Sequence, residues 1–119
     1  MSFDPAAALV AYHAVLDAQD VDGVAKCLAP EARYVSPAIG DVVGREAILA
    51  SIRAYFAASP DHQAFDDEVK TTGPRTAQSH WRLRAVNKTT GAVTERRGIE
   101  KVTFNDAGLI TLIDVVDLD

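Results

Sequence analysis

The chain has 119 residues, the size of one domain, and a net charge of −5 with no run of Lys or Arg, which argues against nucleic acid and anionic membrane as partners. One cysteine, Cys27, excludes an intrachain disulfide framework. The apolar runs fall well short of the roughly 20 residues of a membrane span, and the start Met-Ser-Phe-Asp-Pro lacks the features of a signal peptide. A cytoplasmic single domain over residues 1–119 is the simplest expectation.

Asp4-Pro5 reads as a helix start, with Asp as N-cap and Pro in the first turn. Leu9, Tyr12 and Leu16 follow at helical spacing. Asp20 starts a second helix through Val21, Val24, Ala25 and Leu28, and Pro30 ends it. A short strand over 32–36 stops at Pro37 and Gly40. Gly44 opens a third helix carrying Ile48, Ile52, Tyr55 and Phe56, stopped by Ser59-Pro60. The remainder reads as strand: a polar one over 63–72, then 76–86, 93–104 and 109–116. "GP", "NKTTGA" and "NDAG" supply the turns. Short connections predict a mostly antiparallel sheet, so the class is α+β in the order α-α-β-α-β-β-β-β.

Strand parity raises one anomaly. In "GIEKVTF" (98–104), Glu100 shares a face with Val102 and Phe104. A fully buried, unpartnered Glu becomes neutral, and a neutral carboxyl can donate a hydrogen bond to a ligand. Trp81 belongs to the apolar parity of its strand, whereas His80 belongs to the polar one; a one-residue slip would put His80 beside Glu100 instead. Tyr34, Ser36, Trp81, Val102, Phe104 and Ile113 read as pocket lining. Arg96 and Asp117 are expected to face each other at the mouth. The last strand is apolar on both faces, which predicts a homodimer through the sheet.

The order of these elements, with "YHAVLDAQDVDGVAKCLAPEARYVSP", "GREAI" and "FNDAGLI", resembles the nuclear transport factor 2-like superfamily, including ketosteroid isomerases and SnoaL-like polyketide cyclases. The resemblance implies a curved sheet in a cone wrapped by three helices. Ketosteroid isomerase is also a standard illustration of a carboxyl group kept neutral to donate a hydrogen bond. Its oxyanion-hole Tyr falls on Tyr12 and its protonated Asp on Glu100, whereas its base falls on Ser36. A serine hydroxyl is too weak an acid to replace that base unaided. Asp41, His62 and His80 are the alternates for the missing group. Asp114 or Asp117 would act in a cyclase or hydratase variant.

The resemblance implies cofactor-free chemistry on a small hydrophobic, carbonyl-bearing molecule, steroid- or polyketide-like. A non-catalytic ligand-binding or assembly module is the other reading. No metal is expected, because His13, His62 and His80 are scattered without ligand spacing.

Overall fold

The computed structural model describes residues 3–118. Three helices, α1 (Pro5–Asp17), α2 (Val21–Cys27) and α3 (Arg45–Ala58), lie against a six-stranded sheet. Its strands are β1 (Leu28–Ser36), β2 (Gly40–Val43), β3 (Gln63–Gly73), β4 (Thr76–Val86), β5 (Val93–Phe104) and β6 (Ile110–Leu118). The elements follow the expected order, with the short β2 lying between β1 and α3. The sheet is curved and unclosed, in the order β2-β1-β6-β5-β4-β3. Every neighbouring pair is antiparallel except β1 and β6, which run parallel.

The helix starts form as their residues dictate. Asp4 accepts from the Ala7 amide at 3.1 Å and Asp20 from the Gly23 amide at 3.0 Å, each satisfying an amide that the first turn leaves free. The second helix stops at Cys27, three residues before Pro30. Pro30 lies within β1, where the pairing with β6 is irregular between Leu28 and Arg33. A proline donates no ladder hydrogen bond, so an irregularity is where a strand accepts one.

The helices bury one face of the sheet. Leu9 and Tyr12 of α1, Val24 of α2 and Ile48 of α3 meet Ala77, Val102 and Ile113 in one core. Each large apolar side chain removed from water there contributes about 1.5–3 kcal/mol. Phe3 packs edge-on against Phe104 at 5.1 Å and closes this end of the cone. Val102, Phe104 and Ile113, expected on the pocket wall, belong instead to this solid core, each at most 3% exposed. The layer is filled there and opens toward the other part of the sheet.

β4 and β5 pair so that Ser79 faces Glu100, His80 faces Ile99 and Trp81 faces Gly98. This register keeps Trp81 in the parity of Glu100 and leaves His80 in the other. Trp81 therefore points inward, and His80 shares the outer face with Ile99.

Candidate functional site: a histidine between two carboxylates in an apolar cavity

Between α1, α3 and the open part of the sheet lies a cavity of about 130 Å³. Much of its wall is apolar, including Leu16, Ile39, Ile52, Phe56, Leu83 and Val115. Tyr34, Ser36, Trp81, Arg96 and Glu100 also reach it.

Glu100 is not alone. His13, on α1, has Nε2 at 2.6 Å from Glu100 Oε1 and Nδ1 at 2.6 Å from Asp66 Oδ2 of β3. A neutral imidazole has one N–H and would set a lone pair against one of these carboxylates. An imidazolium donates to both. Burial opposes the charged ring, but the hydrogen bonds to Asp66 and Glu100, and their charges, outweigh it and push the His13 pKa up to about 10. The side chains of His13 and Glu100 are 13% and 7% exposed, and that of Asp66 is 24% exposed, so this is a largely dry ion triplet. Glu100 is therefore an acceptor here, not the neutral donor that an unpartnered Glu would be.

Sequence reading passed over His13 and Asp66. The signal for His13 was present: with Leu9, Tyr12 and Leu16 it completes the i, i+3, i+4, i+7 stripe of α1. Asp17, one turn further along, also reaches the cavity, and burial raises its pKa. Asp66 was hidden in a polar edge strand, where one Asp looks like any other.

Tyr12 sits in the core, fully buried, and is not part of the cavity wall. Its hydroxyl has no partner among the described residues. Burial first, then neighbouring Tyr34 and Glu100, raise its pKa well above the usual phenol value, so the group stays protonated.

Ser36 reaches the wall, where its Oγ accepts from the Ala38 amide at 3.1 Å and caps the turn that follows. Asp41 is not in the wall; it is exposed and paired with Arg33 across the β1–β2 hairpin. Asp114 lies beside Lys101 in register and also falls outside the wall. Asp117 is bound through both its oxygens by Arg96, at 2.5 and 3.2 Å, the contact expected at the mouth. Tied up in this way, it is no free acid. His80, on the outer face, does not reach the cavity.

His62 does reach it. Its Nδ1 and the Tyr55 hydroxyl share a hydrogen bond at 2.6 Å. Burial lowers the His62 pKa and raises that of Tyr55, so both are uncharged near neutral pH.

Trp81 is closely flanked by Arg96 and Gly98. The Arg96 guanidinium lies 5.3 Å from its ring centroid. Gly98 lies opposite it, and a Cβ there would fall 2.5 Å from Trp81 Cζ2 and 2.2 Å from the Val116 carbonyl oxygen. The ring occupies the space that a side chain at 98 would need.

These features define a small α+β protein with a helix-covered, partly charged pocket. The SnoaL-like domain family matches residues 9–113, and the chain belongs to that family. No curated protein matches it. Among solved structures it is similar to RV0760c from Mycobacterium tuberculosis, in complex with estradiol-17β-hemisuccinate. That pair is 22% identical with a TM-score of 0.82, covering 95% of this chain and 93% of the other. It is also similar to Δ5-3-ketosteroid isomerase from Mycobacterium sp., at 18% identity and a TM-score of 0.81, covering 96% and 93%. A computationally designed 17-OHP binder matches at 22% identity and a TM-score of 0.81, covering 96% and 93%. At these identities the likeness is one of fold. Among the described residues no helix is long and apolar enough to cross a membrane.

Proposed function

We propose that the pocket takes up a small, mainly hydrophobic, carbonyl-bearing molecule, steroid- or polyketide-like, and that Glu100 moves a proton on it without a cofactor. The observation that carries this reading is the 2.6 Å contact between His13 and Glu100, which keeps a carboxylate on the wall of a largely apolar cavity. Oε1 is engaged by His13, and among the described residues no hydrogen bond occupies Oε2. Such a carboxylate is a general base whose position is fixed by its partner, whereas Ser36 is not. RV0760c in complex with an estradiol ester and the designed 17-OHP binder lend support to the ligand class.

Incubating the protein with a 3-ketosteroid in D2O tests this. Deuterium should enter at the carbon beside the carbonyl, and Glu100→Gln should slow entry by roughly 10²–10⁴-fold, the usual contribution of a positioned acid-base group. Equal exchange rates in both proteins would remove Glu100 from the chemistry.

A non-catalytic binder is the second reading. The Ser36 hydroxyl, at the place of the family's base, caps a turn, and this observation favours it. Ketone binding with no exchange in the wild type would select it.

The same proposal includes a homodimer through the outer face of the sheet, where Val116 is 55% and Leu118 41% exposed. Two apolar side chains left in water on one strand call for cover. Val116→Asp should then convert a dimer to a monomer in sedimentation equilibrium. A wild type that sediments as a monomer removes the dimer.

A further inference from the structure

The cavity wall carries two groups of polar side chains. In one, Asp66 and Glu100 flank His13, with Asp17 one helical turn away. In the other, Tyr55 is hydrogen-bonded to His62. We infer that the Tyr55 hydroxyl, backed by His62, is the hydrogen-bond donor to the ligand's carbonyl oxygen, in place of Tyr12. This inference rests on the reading of Glu100 as the proton-moving group.

Three observations support it. Tyr55 and His62 both reach the cavity wall, and Tyr12 does not. The 2.6 Å hydrogen bond joins two uncharged groups, and His62 Nε2 makes no hydrogen bond among the described residues. With its proton on Nδ1, His62 donates to Tyr55 Oη, and the phenolic proton is then free for a ligand oxygen.

The loop that carries His62 is also fixed in place. Asp61 Oδ1 accepts from the Val86 amide at 3.0 Å, Gln19 Nε2 donates to the Pro60 carbonyl at 2.8 Å, and the Lys88 amide donates to the Ala58 carbonyl at 2.9 Å. The imidazole packs edge-on against Tyr55 and Phe56, at 5.2 and 5.6 Å. A donor that is already oriented needs no reorganisation when charge develops on its target.

The charges felt at the two tyrosines differ. At Tyr12, Glu100 and Asp17 both oppose an anion; at Tyr55, Arg96, itself paired with Asp117, favours one and Asp61 opposes it.

The step balances without a co-reactant. The Glu100 carboxylate takes a proton from the carbon next to the carbonyl. The C–H electron pair becomes the enolate double bond, and the carbonyl π pair moves to oxygen, which accepts from Tyr55. Glu100 then returns the proton to the ligand carbon skeleton, at the same carbon or at a conjugated one. The reaction class is enolisation, with isomerisation as its productive form.

Equilenin, a fluorescent steroidal naphthol, tests the donor directly. Bound to the wild type it should show naphtholate emission, and Tyr55→Phe should lower the naphtholate-to-naphthol ratio at least tenfold while equilenin still binds. His62→Gln should lower the ratio less, and Tyr12→Phe should leave it unchanged. Loss of the signal in Y12F with retention in Y55F would assign the role to Tyr12 and overturn the inference. So would binding to the wild type as the neutral naphthol alone. If Y55F does not fold, H62Q decides: an unchanged ratio counts against the couple. A wild type that does not bind equilenin at all sinks the hydrophobic-ligand reading itself, a result distinct from these.

Discussion

Replacing His13 with alanine will lower stability by roughly 3–5 kcal/mol, the range for removing one partner of a buried ion pair. The loss comes less from the missing imidazole than from what it leaves behind. Glu100, 7% exposed, and Asp66 would face the same gap with no cation between them. Chemical denaturation at pH 7 measures the loss. His13→Ala with Glu100→Gln should recover part of it, because the second change removes a charge that no longer has a partner.

The wild type carries a pH signature of the same triplet. The His13 pKa is raised from 6.5 in the unfolded chain to about 10 in the folded one. A raised pKa means that the folded state binds the proton more tightly. The stabilisation is therefore complete below pH 6.5 and fades as pH climbs toward 10. Stability measured between those limits should fall in the wild type and stay nearly flat in His13→Ala. A flat wild-type profile would mean that the ring is neutral and that Glu100 lacks its clamp.

The second large effect is expected at Gly98. Gly98→Ala should cost roughly 3 kcal/mol, at the upper end of overpacking penalties. An added Cβ meets the Val116 carbonyl oxygen at 2.2 Å and the Trp81 ring at 2.5 Å. The ring can tilt, but the carbonyl belongs to β6, which pairs with β5 along this stretch. Trp81→Leu in the same chain should therefore recover only part of the loss. Because Trp81 lines the cavity, ligand affinity should fall along with stability, which a thermal-shift titration with equilenin would read. A Gly98→Ala protein as stable as the wild type would show that β5 and β6 can separate at this point.

The fold was legible in the sequence because its signals are local. Asp4-Pro5, Asp20, Gly44 and the NDAG turn each act within a few residues, and the strand bounds 76–86 and 93–104 match those observed. Strand parity alone identified Glu100 and Trp81 as inward. What parity could not show is which side chain from another element arrives opposite. The His13–Glu100 contact joins residues 87 apart in sequence, and the His13–Asp66 contact residues 53 apart. Neither partner has a motif to announce it. Tyr12 illustrates the reverse case: its position on the buried face of α1 was readable, but adjacent residues on a helix point about 100° apart. That turn separates the core, which takes Tyr12, from the cavity, which takes His13.

The parallel pairing of β1 with β6 has a consequence for how the chain acquires this structure. β6 lies between β1 and β5, so without it the sheet consists of a β1–β2 hairpin and a β3–β4–β5 meander with no hydrogen bonds between them. Tyr34 pairs with Ile113, about two-thirds of the chain away. Contacts at such separations must overcome loop-closure entropy before they add stability, which slows folding relative to a fold of local contacts. A ribosome must release β1 through β6 before the two sheet fragments can join. Until then the apolar residues of β1 and β5 lack their common neighbour, and this interval is when the chain is most prone to aggregate.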